Sequence, residues 1–329
     1  MYSNNYILFK EIIVNHNSFL ITSHINPDAD ALGSEIALYH ILKKLGKQVF
    51  VVNHSDTPYN LQFLDEENII EKYDEQNADR YFNSDVLIVL DLNHPNRTKS
   101  MEKRINDFKG IKICIDHHQN PADTFDYIFG GTEYSSTGEI IYEIIEKTSL
   151  VELDNKIAVQ IYAAIMTDTG SFRFERTSSR IHYIIAELLS KGVNPTHIYD
   201  QIFNRFKFGR IKLLGKALNS VSIDETGKIA AMVISKNDLI ETQTEEADVE
   251  GFVNFCLTID GVQIAILFYE LNDGVKISFR SKGNIAVNKL AETFNGGGHF
   301  NASGARLFDV EPQNLITRVV DEAKKYIII

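Results

Sequence analysis

The sequence has few cysteines and no long uninterrupted apolar run. Its two cysteines, Cys114 and Cys256, lie far apart without Cys-x-x-Cys spacing, so we expect neither a disulfide framework nor a zinc–thiolate site. This cysteine usage fits the reducing cytoplasm. No stretch approaches the ~18 apolar residues of a membrane span. The N-terminus lacks a basic segment followed by an apolar run, so we also expect no signal peptide.

The chain also lacks long basic runs. No run of lysine and arginine is longer than a pair, and the net charge of the 329 residues is −12 at pH 7. Proteins that bind long nucleic acids usually release counterions from a basic face, so this composition argues against a long duplex as a partner. A small anionic ligand remains compatible with it, because bound metal ions would supply local positive charge.

The first half of the chain alternates short apolar runs with longer helical patterns. Strands are predicted at residues 19–22, 49–52, 86–92 and 111–115, and helices at residues 31–45, 140–147, 157–166 and 181–189. Ser136 and Glu139 have the spacing of a capping box at the start of the second of these helices. Strands that alternate with helices indicate an α/β fold with a doubly wound, mainly parallel sheet.

The pattern changes after about Leu213. Strands are predicted at residues 229–235, 262–268 and 275–280, a hairpin turn at 271–274, and helices at 246–256, 285–294 and 313–326. We therefore predict a first domain over residues 1–192, a helical connector over 193–212, and a smaller α+β domain with a mixed sheet over 213–329. A cleft between the two domains is expected to hold the active site.

Aspartate and histidine residues follow three of the strands predicted in the first half. They are His24, Asp28 and Asp30 after the first strand, Asp91 in the third, and Asp116, His117 and His118 after the fourth. Ligands bind outside the carboxyl ends of the strands in open α/β sheets, so these side chains should converge. Asp168 follows a predicted helix and is a further candidate.

These residue types favour divalent cations. Carboxylates and imidazoles without a thiolate favour Mn²⁺ over a structural Zn²⁺ or a Ca²⁺ cage. Each motif alone has a simple structural alternative: a surface loop for His24 to Asp30, a helix N-cap for Asp91, and a polar strand end for the two histidines. Their joint occurrence predicts a two-metal site that hydrolyses phosphoesters. The remaining histidines read as surface or core residues, and His94, close to Asp91, stays ambiguous.

These motifs resemble those of the DHH phosphoesterase superfamily, and more narrowly its bacterial nano-RNase and 3′-phosphoadenosine 5′-phosphate (pAp) phosphatase branch. The first half carries the DHH motifs. The run Gly296-Gly297-Gly298-His299, followed by Ala302-Ser303-Gly304, resembles the signature of the DHH-associated C-terminal domain. The resemblance covers essentially the whole chain.

The resemblance implies a role for each metal-site residue. One ion would be held by His24, Asp28 and Asp91, and the other by Asp30, Asp91, His117 and Asp168, with Asp91 shared between them. Asp116 would orient His117, because metal-bound imidazoles are usually fixed by a second partner. We further hypothesise that His118 faces the scissile phosphate and assists the leaving group.

The resemblance also implies a substrate grip in the second domain. The predicted contacts are Arg280, Ser281, Gly296, Gly297, Gly298, His299 and Arg306, together with Arg97 from the first domain. Glycines allow the backbone to approach a phosphate closely, and arginine can bind it through two hydrogen bonds. The sequence Asn93-His94-Pro95 departs from the small hydroxyl residues that relatives often carry after the position of Asp91.

The activity implied by the resemblance is that of a cytoplasmic, homodimeric hydrolase with two Mn²⁺ ions, with Mg²⁺ or Co²⁺ as alternatives. It would degrade very short oligoribonucleotides to mononucleotides and convert pAp to AMP, with the dinucleotide pApA as a further substrate. Neither a long duplex nor a membrane is expected as a partner.

Other functions share parts of this pattern. A pApA or cyclic-dinucleotide phosphodiesterase shares the chemistry. The glycine-rich ending argues against a family II inorganic pyrophosphatase, and the length and acidic charge argue against a RecJ-like single-strand exonuclease. A non-catalytic nucleotide sensor would be favoured by a missing metal ligand, and none is missing. A dehydrogenase lacks support because no Gly-x-Gly-x-x-Gly follows the first strand.

Overall fold

The computed structural model describes residues 5–310 and 312–327. The chain divides into two compact units, Met1–Arg205 and Phe206–Ile329. Each unit has its own sheet and its own buried apolar core. Within the part of the chain described, every helix is too short or too polar to cross a membrane.

The first unit is built on a six-stranded parallel sheet. Its strands are β1 (Ser18–Thr22), β2 (Gln48–Asn53), β3 (Ile70–Lys72), β4 (Val86–Leu90), β5 (Ile111–Asp116) and β6 (Tyr127–Gly130). They lie in the order β3-β2-β1-β4-β5-β6. The order reverses between β1 and β4, and such a switch point is where open α/β sheets bind their ligands.

Helices cover both faces of this sheet. They are α1 (Tyr6–Asn15), α2 (Ala29–Lys44), α3 (Ala78–Phe82), α4 (Glu102–Asn106), α5 (Thr137–Thr148), α6 (Asn155–Asp168), α7 (Ser179–Ser190) and α8 (Pro195–Phe203). Alternate residues of β1 enter different cores, Phe19 and Ile21 on one face and Leu20 on the other. This two-sided burial explains why the strands read as continuous apolar runs, and it confirms the predicted doubly wound fold.

The second unit contains a mixed six-stranded sheet. Its strands are β7 (Ser222–Ile223), β8 (Ile229–Ile234), β9 (Ile264–Glu270), β10 (Gly274–Ser281), β11 (Gly297–His299) and β12 (Ala302–Phe308). They lie in the order β11-β12-β10-β9-β8-β7, and only the β8–β9 pairing among those recorded is parallel. The helices are α9 (Phe208–Asn219), α10 (Lys236–Thr242), α11 (Val253–Leu257), α12 (Val287–Glu292) and α13 (Pro312–Ala323). The predicted α+β architecture is confirmed.

The structure corrects several local predictions. The helix predicted over residues 246–256 is a 3₁₀ turn, Glu246–Val249, followed by α11, because Gly251 between them has φ +82°. The predicted capping box before α5 is only half present. Ser136 Oγ accepts a hydrogen bond from Glu139 N at 3.1 Å, but the Glu139 carboxylate accepts from Ser135 N instead of Ser136 N.

Candidate metal centre

The loop after β1 places three predicted ligands at the start of α2. Asp28 is the N-cap of α2, and its Oδ1 accepts hydrogen bonds from Asp30 N at 3.0 Å and Ala31 N at 3.1 Å. Asp30 lies in the first helical turn and is fully buried. His24 precedes the helix and is also buried. The strand-loop-helix geometry therefore directs Asp30 into the protein and leaves Asp28 at the surface.

Asp91 lies between two histidines directly after β4. Its Oδ2 is 3.2 Å from His24 Nε2, and its Oδ1 is 3.4 Å from His117 Nε2. The backbone of Asp91 has φ +55°, and its amide donates to Ile115 O on the neighbouring strand. A left-handed conformation is uncommon for a non-glycine residue and often marks a functional position. Asp91 is thereby placed where both histidines reach it.

His117 connects the remaining carboxylates. Its Nε2 lies 3.2 Å from Asp168 Oδ2 and 3.8 Å from Asp30 Oδ2. Asp30 is held from the other side by the first amides of α5, because Thr137 N and Gly138 N donate to it at 2.8 and 2.9 Å. A helix N-terminus stabilises negative charge, so α5 fixes this carboxylate in place.

Potential ligand atoms of the predicted residues form three groups, each within 4.8 Å. The groups are His24 with Asp28 and Asp91, Asp30 with His117 and Asp168, and Asp91 with His117 and His118. The first matches one predicted ligand set. The second matches the other set apart from Asp91, which is 3.4 Å from His117. The structure thus brings all six predicted metal ligands together.

Asp116 makes a different contact from the one predicted. Its Oδ1 accepts a hydrogen bond from His118 Nδ1 at 2.6 Å, so Asp116 is placed to orient His118. Arg97 Nη1 lies 3.3 Å from the other ring nitrogen of His118. Because Nδ1 donates to Asp116, the neutral ring would accept at Nε2. Arg97 therefore contacts His118, the histidine that was predicted to face the scissile phosphate.

The predicted contacts in the second unit lie on two faces of its sheet. Arg280 pairs with Ala302, which pairs with His299, so Arg280 and His299 share one face with a small residue between them. Ser281 points to the opposite, buried face. Its hydroxyl donates to Ile285 O at 2.7 Å and accepts from Asn301. The Ser281 hydroxyl thus supports the turn that leads to Ile285, and its role as a substrate contact stays a prediction.

The three glycines also differ from one another. A Cβ at Gly296 would lie 2.1 Å from Gly304 O, so this glycine permits close packing of the chain against β12. A Cβ at Gly297 would meet nothing within 4 Å, and Gly298 has φ +142°. Arg306 lies 3.4 Å from Asp273. Of these three glycines, Gly297 is the one beside open space.

Comparison with known proteins agrees with these motifs. The family model described as "DHH family, N-terminal domain" matches residues 18–166, and the "DHHA1 domain" model matches residues 226–328. A Bacillus subtilis protein named bifunctional oligoribonuclease and PAP phosphatase NrnA is 31% identical, over 89% of this chain and 90% of its own length. The chain belongs to the DHH family.

Two further relatives extend the match over nearly the whole DHH chain. A Thermus thermophilus protein with the same name is 29% identical, over 93% of this chain and 89% of its own length. The crystal structure of an exopolyphosphatase-related protein from Bacteroides fragilis is 32% identical and superposes with a TM-score of 0.92, covering 98% of this chain and 96% of that one.

The electrostatics of this DHH site fit bound cations. Burial raises the pKa of Asp168 to about 8, and burial together with Asp91 raises the pKa of Asp30 well above its usual range. Burial alone would lower the pKa of His117, but Asp91 and Asp168 raise it to about 10. Without metal, protons therefore compensate the buried carboxylates. Divalent ions would displace these protons and supply the missing positive charge.

Sequence reasoning missed several residues around the DHH centre. Arg176 Nη1 lies 3.5 Å from His117 Nδ1 and 3.4 Å from Tyr134 O. Arg176 lies in an exposed loop eight residues after Asp168, where no periodicity or motif distinguishes it. The supporting amides of Thr137 and Gly138 were missed as well. The capping-box spacing at Ser136 predicted the start of α5. It did not predict that the first amides of this helix hold Asp30.

A buried polar network below His24 was also missed. Asn53 Nδ2 donates to Glu35 Oε2 at 2.8 Å, while Asn53 Oδ1 accepts from Ser23 N at 3.1 Å and Thr22 Oγ1 at 3.2 Å. Burial raises the pKa of Glu35 to about 8. The network ties the end of β2 to the residue that precedes His24.

Proposed function

We propose that this chain is a two-metal phosphoesterase that converts pAp to AMP and degrades very short oligoribonucleotides to mononucleotides. The proposal rests above all on the convergence of His24, Asp28, Asp30, Asp91, His117 and Asp168 at the carboxyl ends of β1, β4 and β5. The choice of substrates is supported by the names of the Bacillus subtilis and Thermus thermophilus relatives. The matches cover 90% and 89% of the length of these two proteins.

We assign one ion to His24, Asp28 and Asp91, and the other to Asp30, Asp91, His117 and Asp168. When bound, the ions would supply an activated water and stabilise negative charge on the phosphoryl oxygens. Mn²⁺ suits this set of carboxylates and imidazoles, with Mg²⁺ or Co²⁺ as alternatives. A cytoplasmic location and a homodimeric state also remain proposals.

The side chains beside the ligands would act on the substrate. We assign His118 and Arg97 to the scissile phosphate, with Asp116 holding His118 through its Nδ1 hydrogen. The positive charge of Arg97 would stabilise the negative charge that develops on the phosphoryl oxygens. Asp91 keeps the two histidines His24 and His117 in place.

The second unit would bind the other end of the substrate. Arg280, Gly297 and His299 offer a guanidinium, an open backbone and an imidazole on one sheet. Arginine binds phosphate strongly through paired hydrogen bonds. We propose that this grip limits the substrate to a few nucleotides.

A substrate panel tests this function. The chain is stripped with EDTA, then assayed with and without added Mn²⁺ on pAp, pApA, a trinucleotide and a 20-mer RNA. We expect Mn²⁺-dependent release of AMP or mononucleotides from the three short substrates and little from the 20-mer. Preferential release from the 20-mer, or equal rates without metal, would contradict the proposal.

A further inference from the structure

One face of β10 carries a row of polar side chains over a pocket within the second unit. Lys276, Ser278 and Arg280 alternate with the fully buried Val275, Ile277 and Phe279. Pocket walls are contributed by β9, β10 and the segment Glu246–Gly251. Two cations and a hydroxyl thus line one concave surface, as expected of a site for an anionic ligand.

Two glutamates form ion pairs with the two cationic side chains of this pocket. Lys276 Nζ donates to Glu246 Oε1 at 2.8 Å, and Glu250 Oε1 lies 3.8 Å from Arg280 Nη2. The Glu250 side chain is 80% exposed, whereas that of Arg280 is only 25% exposed. Such a pair with one exposed partner contributes little stability. The carboxylate of Glu250 can therefore leave Arg280 at little cost.

Arg210 holds the backbone of the segment that carries these glutamates. Arg210 on α9 donates to the carbonyls of Asp248 and Glu250, and its guanidinium stacks over the rings of Phe206 and Phe252. The glutamate side chains can thus move while their backbone stays fixed. Because arginine and lysine bind carboxylate and phosphate oxygens alike, a phosphate can take the position of either glutamate carboxylate.

We propose that Lys276 is a second phosphate-binding residue beside Arg280, and that Glu246 and Glu250 occupy these two positions until substrate displaces them. This inference rests on the proposed function, in which Arg280 binds a nucleotide phosphate. Lys276 and Arg280 are four residues apart on a strand, about 13 Å between Cα atoms, and lie on the same face. Their long side chains would bind the same terminal phosphate, because the other phosphate of pAp is the scissile one assigned to the metal centre.

Equilibrium binding to the full chain in EDTA tests the inference without catalysis. The probes are adenosine, AMP and pAp, and the variants are Glu250→Gln, Glu246→Gln and Lys276→Gln. We expect Glu250→Gln to tighten both AMP and pAp by about two- to fivefold, the range for an exposed ion pair. Glu246→Gln should also tighten AMP and pAp, and Lys276→Gln should weaken both. Adenosine should not respond.

Glu322→Gln is the matched control, because it removes the same charge from an ion pair with Lys325 outside the pocket lining. Opposite changes for the glutamate and lysine variants cannot arise from a general loss of folding. The inference is overturned if Glu250→Gln leaves or weakens AMP binding, if Glu322→Gln has the same effect, or if pAp binds no better than adenosine. Binding without hydrolysis in the substrate panel would instead count against the proposed function alone.

Discussion

At the scale of single residues, the side chains of Asp116, His117 and His118 have separate contacts. His117 faces Asp30, Asp91 and Asp168, whereas His118 donates a hydrogen bond to Asp116. The sequence could predict that an aspartate beside two histidines orients one of them. It could not tell which, because the choice depends on how the chain turns after β5.

Asp116→Ala tests whether Asp116 orients His118 or His117. We expect turnover of pAp to fall by about tenfold to hundredfold, because a misplaced reacting group costs rate, while Mn²⁺ affinity stays unchanged. Turnover and metal affinity are measured on the same preparation, with the exposed Asp107→Ala as the control. A large loss of Mn²⁺ affinity would return the orienting role to His117.

Glu35 leads to a prediction about pH. Burial raises its pKa from 4.5 to about 8, so between these values the folded chain keeps a proton that the unfolded chain releases. The contribution of this group to the free energy of unfolding is therefore present at low pH and lost as the pH rises.

Glu35→Gln should remove this dependence, because the amide carries no charge and can still accept from Asn53. In EDTA, we expect the variant to gain stability relative to the natural chain between pH 5 and pH 8, by on the order of 3 kcal/mol. Urea unfolding at the two pH values measures the difference. A gap between the proteins that is constant with pH would show that Glu35 is already charged.

At the scale of elements, apolar runs predicted the central strands well. The strands β1, β4 and β5 are buried on both faces, so their sequences carry a strong signal. The short strands β3 and β6 at the sheet edges were missed, because three or four residues give too little pattern. The prediction of a single helix over residues 246–256 was wrong. The apolar spacing continues past Gly251, although the helix is interrupted there.

The N-terminus of α5 is the element that fixes Asp30, and it depends on Gly138. A Cβ at this position would lie 2.4 Å from Ala164 Cβ on α6. We expect Gly138→Ala to force the helices apart, to lower stability by about 1–3 kcal/mol, and to weaken Mn²⁺ binding. Denaturant unfolding and metal titration check both effects.

Gly215→Ala is the matched control, since nothing lies within 4 Å of its added Cβ. Alanine in a helix is favoured over glycine by about 1 kcal/mol, so this variant should be neutral or slightly more stable. If Gly138→Ala behaved like Gly215→Ala, the proposed tight contact between α5 and α6 would be absent.

At the scale of the whole molecule, chemistry and substrate recognition are proposed to lie in different units. All six predicted metal ligands belong to the first unit, and Arg280, Gly297 and His299 belong to the second. Both sets were predicted from the sequence because their residues lie in recognisable short motifs. It missed Arg176 and the Glu246–Lys276 and Glu250–Arg280 pairs, because these contacts join segments that are distant in sequence and lack a motif.

The central claim is that the DHH residues hold two metal ions. Anomalous diffraction from crystals of the full chain grown with Mn²⁺ tests this claim most directly. We expect two peaks, one among His24, Asp28 and Asp91, and the other among Asp30, Asp91, His117 and Asp168. A single peak, or peaks outside these side chains, would contradict it.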